Sequence, residues 1–274
     1  MKRILGNLER QLFAYAQMRG LSVVRSGELT GPLGISGKQE RELLTRLRKA
    51  GMIAKVRRGL YLVPPRLPLG ARWSPDEALA LQTLMDDRQG RYQICGPNAF
   101  NYYGFDEQIP TRVYAYNNRF SGERTVGVLV LSLIKVADRR LGDTEDIPVT
   151  EARAALYSSR VRTLLDAVYD WSRFNSLPRG FSWIRAELAS GQVSAKDLTE
   201  CTLRYGDVGT IRRIGALMDR EGVESKLLKQ LERALGQTTS FIPWIPSLPK
   251  RGTTDRRWGI VWNDREFSTT HPTA

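Results

Sequence analysis

Lys38, Gln39, Arg41, Glu42, Thr45, Arg46, Arg48 and Lys49 fall in one short stretch, and Arg57 and Arg58 follow close behind. Such residues do recognition chemistry rather than bond breaking. Arg and Lys donate to guanine, Gln pairs bidentately with adenine, and Glu accepts from cytosine. The same cations also neutralise phosphates, which positions a protein on a duplex without reading its sequence. Lys38, Gln39, Arg41, Glu42 and Thr45 are the candidates for base edges. Arg57 and Arg58 are the candidates for phosphates, and Arg46, Arg48 and Lys49 complete the DNA-binding set.

Residues suited to covalent or metal chemistry are scarce by comparison. Cys95 and Cys201 stand far apart, and the sole histidine, His271, lies in a Ser-Thr-Thr-His-Pro-Thr-Ala tail. No zinc spacing or disulfide framework follows from two isolated cysteines. Ser-His-Asp and Cys-His catalysis and a histidine-ligated metal are disfavoured, so neither cofactor nor enzymatic activity is expected. The acids Asp138, Asp143, Glu145 and Asp146 would be the carboxylates of a metal-dependent nuclease, but they sit in a loop-like stretch beside Arg139 and Arg140.

The elements that must position the basic set are legible in the apolar spacing. Leu8, Leu12, Phe13, Tyr15 and Ala16 predict an amphipathic helix over 7–19, ending at Gly20. Ser26 to Gly34 reads as a short second helix with Ser26 as its cap. Ser36-Gly-Lys-Gln39 has the form of a capping box, and Leu43, Leu44, Leu47 and Ala50 mark one buried stripe of a third helix that stops at Gly51. Met52–Arg57 and Leu60–Val63 flank an Arg58-Gly59 turn and predict a two-stranded hairpin. Three helices and a basic hairpin describe a winged helix-turn-helix, whose third helix suits the major groove while the hairpin grips flanking backbone.

Charge agrees with that placement. The 274 residues carry a formal charge of +13, and residues 1–70 hold 14 Lys and Arg against 4 Asp and Glu. A folded, basic module of this kind meets a polyanion. The chain has 41% hydrophobic and 26% charged residues, a globular composition. No window approaches the roughly 18 apolar residues of a membrane span, and Glu9 and Arg10 precede any long apolar run, so a cytoplasmic protein with no membrane partner is expected.

Pro64–Gly70 holds three prolines and predicts a stiff connector. The expected domains are a winged helix-turn-helix at 1–70, an α+β domain at 71–262 with a small sheet covered by helices, and a disordered tail at 263–274. Ser74-Pro-Asp-Glu77 should open a helix with Ser74 as cap. Short strands follow at 92–95, 112–116 and 125–134, the first two separated by a helix near 96–103, and helices return from Pro148 onward. Arg112, Arg119, Arg124, Arg212 and Arg213 are the expected surface cations of this part. Tyr102, Tyr103, Phe105, Tyr114 and Tyr116 could line a small-molecule pocket, which would make the chain a one-component regulator with a sensing domain.

Several stretches in fixed order resemble the AbiEi family of abortive-infection antitoxins. They are Arg57-Arg-Gly-Leu-Tyr-Leu-Val-Pro64, Tyr92-Gln-Ile-Cys-Gly-Pro-Asn-Ala-Phe-Asn-Tyr-Tyr-Gly104, Glu107-Gln-Ile-Pro-Thr-Arg-Val-Tyr-Ala-Tyr116, Arg162-Thr-Leu-Leu-Asp166, Thr210-Ile-Arg-Arg-Ile-Gly215 and Arg257-Trp-Gly-Ile-Val-Trp-Asn263. The resemblance implies an antitoxin of a type IV toxin–antitoxin system in phage defence. Its first domain would repress its own operon at inverted repeats in double-stranded promoter DNA. Its second would counteract a nucleotidyltransferase toxin without forming a stable complex.

Overall fold

Gly6 precedes the first helix, α1 (Asn7–Met18), and Glu9 folds back to accept from the Gly6 amide at 3.0 Å. The computed structural model describes residues 5–66, 72–151, 153–237 and 240–264. Strand β1 (Val23–Arg25) follows, then α2 (Thr30–Leu33) and α3 (Gly37–Lys49), then β2 (Ala54–Arg57) and β3 (Leu60–Leu62). The second helix is one turn and not the segment from Ser26 expected above. Gly27 takes a left-handed φ of 98° and the Glu28 side chain accepts from the Arg25 amide, which uses up 26–29 as a turn. The hairpin gains a third strand, in the order β1-β3-β2, both pairs antiparallel. Leu12, Phe13 and Ala16 meet Leu43, Leu44 and Leu47 in one apolar core with Val24, Met52, Ile53 and Val63.

Helix α4 (Glu77–Asp86) is capped by Asp76, whose Oδ1 accepts from the Leu79 amide at 2.7 Å, and not by Ser74. The acid two residues later wins because its oxygen reaches the third-position amide that an N-cap must satisfy. Strands β4 (Tyr92–Ile94), β5 (Val113–Asn117), β6 (Gly122–Val126), β7 (Leu129–Lys135), β8 (Thr144–Thr150) and β9 (Arg153–Ser158) form one six-stranded sheet, ordered β6-β7-β5-β4-β9-β8. The apolar run at 125–134 is therefore broken by a turn at Gly127, φ 66°. Residues 148–150 and 153–158, expected as helix, are strand: β9 lies beside β4 inside the sheet, and Ala155 and Tyr157 alternate as buried positions.

The remaining helices are α5 (Pro97–Tyr102), α6 (Arg160–Tyr169), α7 (Trp171–Phe174), α8 (Arg179–Ser190), α9 (Ala195–Tyr205), α10 (Val208–Arg220) and α11 (Ser225–Leu235). Strands β10 (Ile242–Pro243), β11 (Thr253–Asp255) and β12 (Ile260–Trp262) make a third sheet, ordered β10-β12-β11. Leu164, Leu165, Ile184, Leu198, Ile214 and Leu217 pack with Trp244 and Trp258 in a core of their own. The architecture is mixed α+β.

Two compact units result, and neither is a continuous stretch of chain. One comprises Met1–Ile94, Pro110–Leu141 and Asp146–Leu156; the other comprises Cys95–Ile109, Gly142–Glu145 and Tyr157–Ala274. The first unit is larger than the expected 1–70 domain: it also takes in α4 and most of the six-stranded sheet, with β2 packed against α4 and β6. Most of the Pro64–Gly70 connector, from 67 on, and the tail from 265 on, with His271, lie outside the described residues.

Candidate nucleic-acid interface

Ser36 starts α3 as the capping box predicts. Its Oγ accepts from the Gln39 amide at 3.3 Å, and Gln39 Oε1 accepts from the Ser36 amide at 2.8 Å. Leu43, Leu44 and Leu47 are fully covered, which turns the opposite face of the helix to solvent. Lys38, Gln39, Arg41, Glu42, Thr45, Arg46, Arg48 and Lys49 are all exposed there. Lys38, Arg41, Glu42, Thr45, Arg46 and Lys49 recur at three- and four-residue steps and line one open concavity.

Within that set the roles are unequal. Arg46 Nε donates to Glu9 Oε1 at 2.8 Å, tying α3 to α1, while its side chain stays half-exposed. Gln39 Oε1 already accepts from the Ser36 amide, so a bidentate pairing with adenine would share that oxygen's second lone pair or open the cap. Glu40, buried on the apolar side, accepts from the Gly27 amide at 2.7 Å and the Leu29 amide at 3.0 Å. It pins the turn before α2 onto α3. Its place three and four residues before Leu43 and Leu44 is the sequence signal for an inward position.

The hairpin behaves differently from its sequence expectation. Arg57 Nε donates to Asp87 Oδ2 at 2.6 Å, Arg57 Nη2 donates to Asp87 Oδ1, and Arg57 Nη1 donates to the Arg58 carbonyl at 2.7 Å. This bidentate bond lowers the Asp87 pKa and raises that of Arg57. Arg57 is thus part of an ion pair, whereas the exposed Arg58 side chain makes no ion pair among the described residues. Lys55 lies on the same exposed side of β2 as Arg57. Period-two alternation back from Arg57 would have found it; nothing local points to Asp87.

The expected surface cations of the later part split in two. Arg112 pairs with Glu123, Arg119 donates to the Gln89 carbonyl, and Arg124 lies over the Phe120 ring at 5.0 Å. Arg212 and Arg213 are buried, which corrects their expected exposure. Arg213 donates to the carbonyls of Trp244 at 3.3 Å and Pro243 at 3.1 Å, and burial pushes its pKa down to about 10. Three of the four nuclease carboxylates are engaged in structural bonds: Asp138 accepts from Asn118, Asp143 from Ser159 Oγ and Glu145 from Tyr103. Among the described residues no group of three or more His, Cys, Asp and Glu is arranged to hold a metal. Tyr103 and Phe105 pack on one another, and Phe105 stacks on Trp183, so these rings fill space. Tyr116 is fully buried on β5.

Among the described residues no helix is long and apolar enough to cross a membrane. One family pattern covers most of the module just built. Residues 10–64 match the AbiEi_4 family, described as "Transcriptional regulator, AbiEi antitoxin". The AbiEi-like match thus runs from within α1 to just past the hairpin, the segment that carries every candidate DNA-binding residue. The fold as a whole is similar to that in the crystal structure of the RV2827C protein from Mycobacterium tuberculosis. That likeness has a TM-score of 0.59 at 15% identity and covers 94% of this chain and 92% of that one. No curated protein matches the sequence.

Proposed function

We propose that this chain is a DNA-binding transcriptional autorepressor and antitoxin, with a winged helix-turn-helix as its reading head. The observation that carries the proposal is the division of α3 into two faces. One is fixed in the core by Leu43, Leu44 and Leu47, and the other offers Lys38, Arg41, Glu42, Thr45 and Lys49 to solvent. A helix of 13 residues is about 20 Å long and about 10–12 Å across with side chains, which suits a major groove roughly 12 Å wide. Arg41 and Lys38 at its amino-terminal half would read base edges, and Arg58 would hold the adjoining backbone. The preferred site would be inverted repeats in the promoter of its own operon.

The antitoxin half of the proposal rests on the AbiEi-like match at 10–64 together with the ordered motifs beyond it. In this reading the protein acts in the cytoplasm, in a type IV abortive-infection system, and counteracts a nucleotidyltransferase toxin without a stable complex.

Two measurements test it. The full chain should bind a duplex from upstream of its own coding sequence more tightly than a scrambled duplex of equal length, and affinity should fall steeply with salt. Equal affinity for both would refute specific repression. Co-expression with a nucleotidyltransferase encoded beside it should restore growth, and continued arrest with soluble protein present would refute the antitoxin role.

A further inference from the structure

The carboxy-terminal end of α3 borders a second groove, of about 390 Å³, formed with β2, Arg72 and the turn between β6 and β7. Arg48, Lys49, Lys55 and Arg72 line it, and no carboxylate does. No ion pair among the described residues involves any of the four. We propose that this groove is a second phosphate-binding track, which grips the backbone of the same duplex beyond the stretch read by α3. The proposal deepens the function above and rests on its reading of α3.

Three features support the assignment. First, the cations are uncompensated. Charges closer than the roughly 8 Å screening length of physiological salt repel one another, and a polyanion relieves that repulsion. Second, the groove is built before any ligand arrives. The Arg72 stem lies against Gly51, where an added Cβ would meet Arg72 Cγ at 3.0 Å, and the Trp73 amide donates to the Gly51 carbonyl at 2.8 Å. The β6–β7 turn is seated equally closely: a Cβ on Gly127 would come within 3.0 Å of Pro75 Cδ and 3.4 Å of Ala54 Cβ. The walls of the groove around Gly51 and Gly127 are therefore fixed, and the exposed Arg48, Lys49 and Lys55 side chains would order over them on binding.

Third, the groove continues the α3 surface. Lys49 lines both this groove and the concavity on the exposed face of α3. Lys55 lies within β2 and Arg58 at the turn that follows it, so they would meet different phosphates. The track is thus an addition to the hairpin contact. A single duplex lying on α3 would be held on the Arg58 side and on the Lys55–Arg72 side.

The test compares the intact protein with two variants, Lys55→Gln/Arg72→Gln and Thr125→Glu. Thr125 is exposed on the edge strand β6, so the second variant adds an opposing charge without removing a contact. Binding to a mixed-sequence duplex of about three helical turns of 10–10.5 base pairs is measured across a salt series. Each phosphate contact adds about 0.9 to the slope of log K against log salt. The double variant should lower that slope by about 2 and weaken all duplex sequences alike, and Thr125→Glu should also weaken binding. A parent slope retained by both variants overturns the track while leaving the proposed function standing. A loss seen with the single strand but not the duplex also overturns it. Absence of salt-dependent duplex binding by the parent protein would overturn the proposed function and the track together.

Discussion

Asp87, the carboxy-terminal cap residue of α4, holds Arg57 at the end of β2 through both of its carboxylate oxygens. The hairpin that would touch DNA backbone is therefore tied to a helix beyond the connector. Thirty residues of sequence separate the partners. The pair both neutralises one hairpin cation and fixes the strand that carries Lys55 and leads into the turn at Arg58.

Neutralising Asp87 should make Arg57 available to phosphate. Asp87→Asn is expected to steepen the salt slope of duplex binding by up to about 0.9, one phosphate contact. The tether has a defined pH window as well. Hydrogen bonding to Arg57 lowers the Asp87 pKa below its ordinary 3.8, so the pair stabilises the fold above that value. Its contribution is lost as pH falls through the lowered, folded-state value. Urea midpoints of the parent protein and Asp87→Asn should differ at pH 6 and converge in strong acid; an unchanging gap would contradict this.

The α3 residues divide by what the geometry leaves them to offer. Arg41→Ala should cost about 1–3 kcal/mol and relax preference at one base position, whereas Arg58→Ala should weaken all sequences alike. Gln39→Ala should instead lower thermal stability, because it removes half of the capping box; the loss of a cap is worth about 1 kcal/mol. Base-specific binding profiles and melting curves for the three variants separate these outcomes.

Arg162 and Asp166 form a fully buried pair at 2.9 Å within α6, and Arg162 also stacks over Tyr205 at 4.2 Å. Arg162→Met should cost about 3–5 kcal/mol by leaving a carboxylate buried without its cation. Adding Asp166→Leu should recover much of that loss, measured by urea unfolding. A double variant no more stable than the single one would show that further contacts of Asp166 matter more than the charge.

Gly215 in α10 lies against the face of Trp258. A Cβ there would come within 2.1 Å of the ring, which is itself fully buried. Gly215→Ala, normally favourable in a helix, should therefore destabilise by at least about 1–3 kcal/mol. Chemical denaturation gives the number, and a gain in stability would mean that the Trp258 ring can move aside.

Much of the opening module could be read from its residues because its signals are short-ranged. The Ser36–Gln39 box, the leucine stripe of α3 and the Arg58-Gly59 turn each depend on neighbours within one helical or hairpin turn, and the structure has each of them. The order of charges along α3 follows from the same periodicity.

Tertiary contacts decided the rest. Residues 153–158 become strand because β9 finds β4, a pairing no local pattern encodes. Arg212 and Arg213 look like surface cations by type, but α10 is buried over nearly its whole circumference, so they go inside. Sequence periodicity specifies which face of a helix is apolar; only the assembled chain specifies whether the polar face meets solvent, a carbonyl or a distant carboxylate. That is why the cationic face of α3 was legible in advance, whereas the Arg57–Asp87 tether and the groove along Lys55 and Arg72 emerged only from the fold.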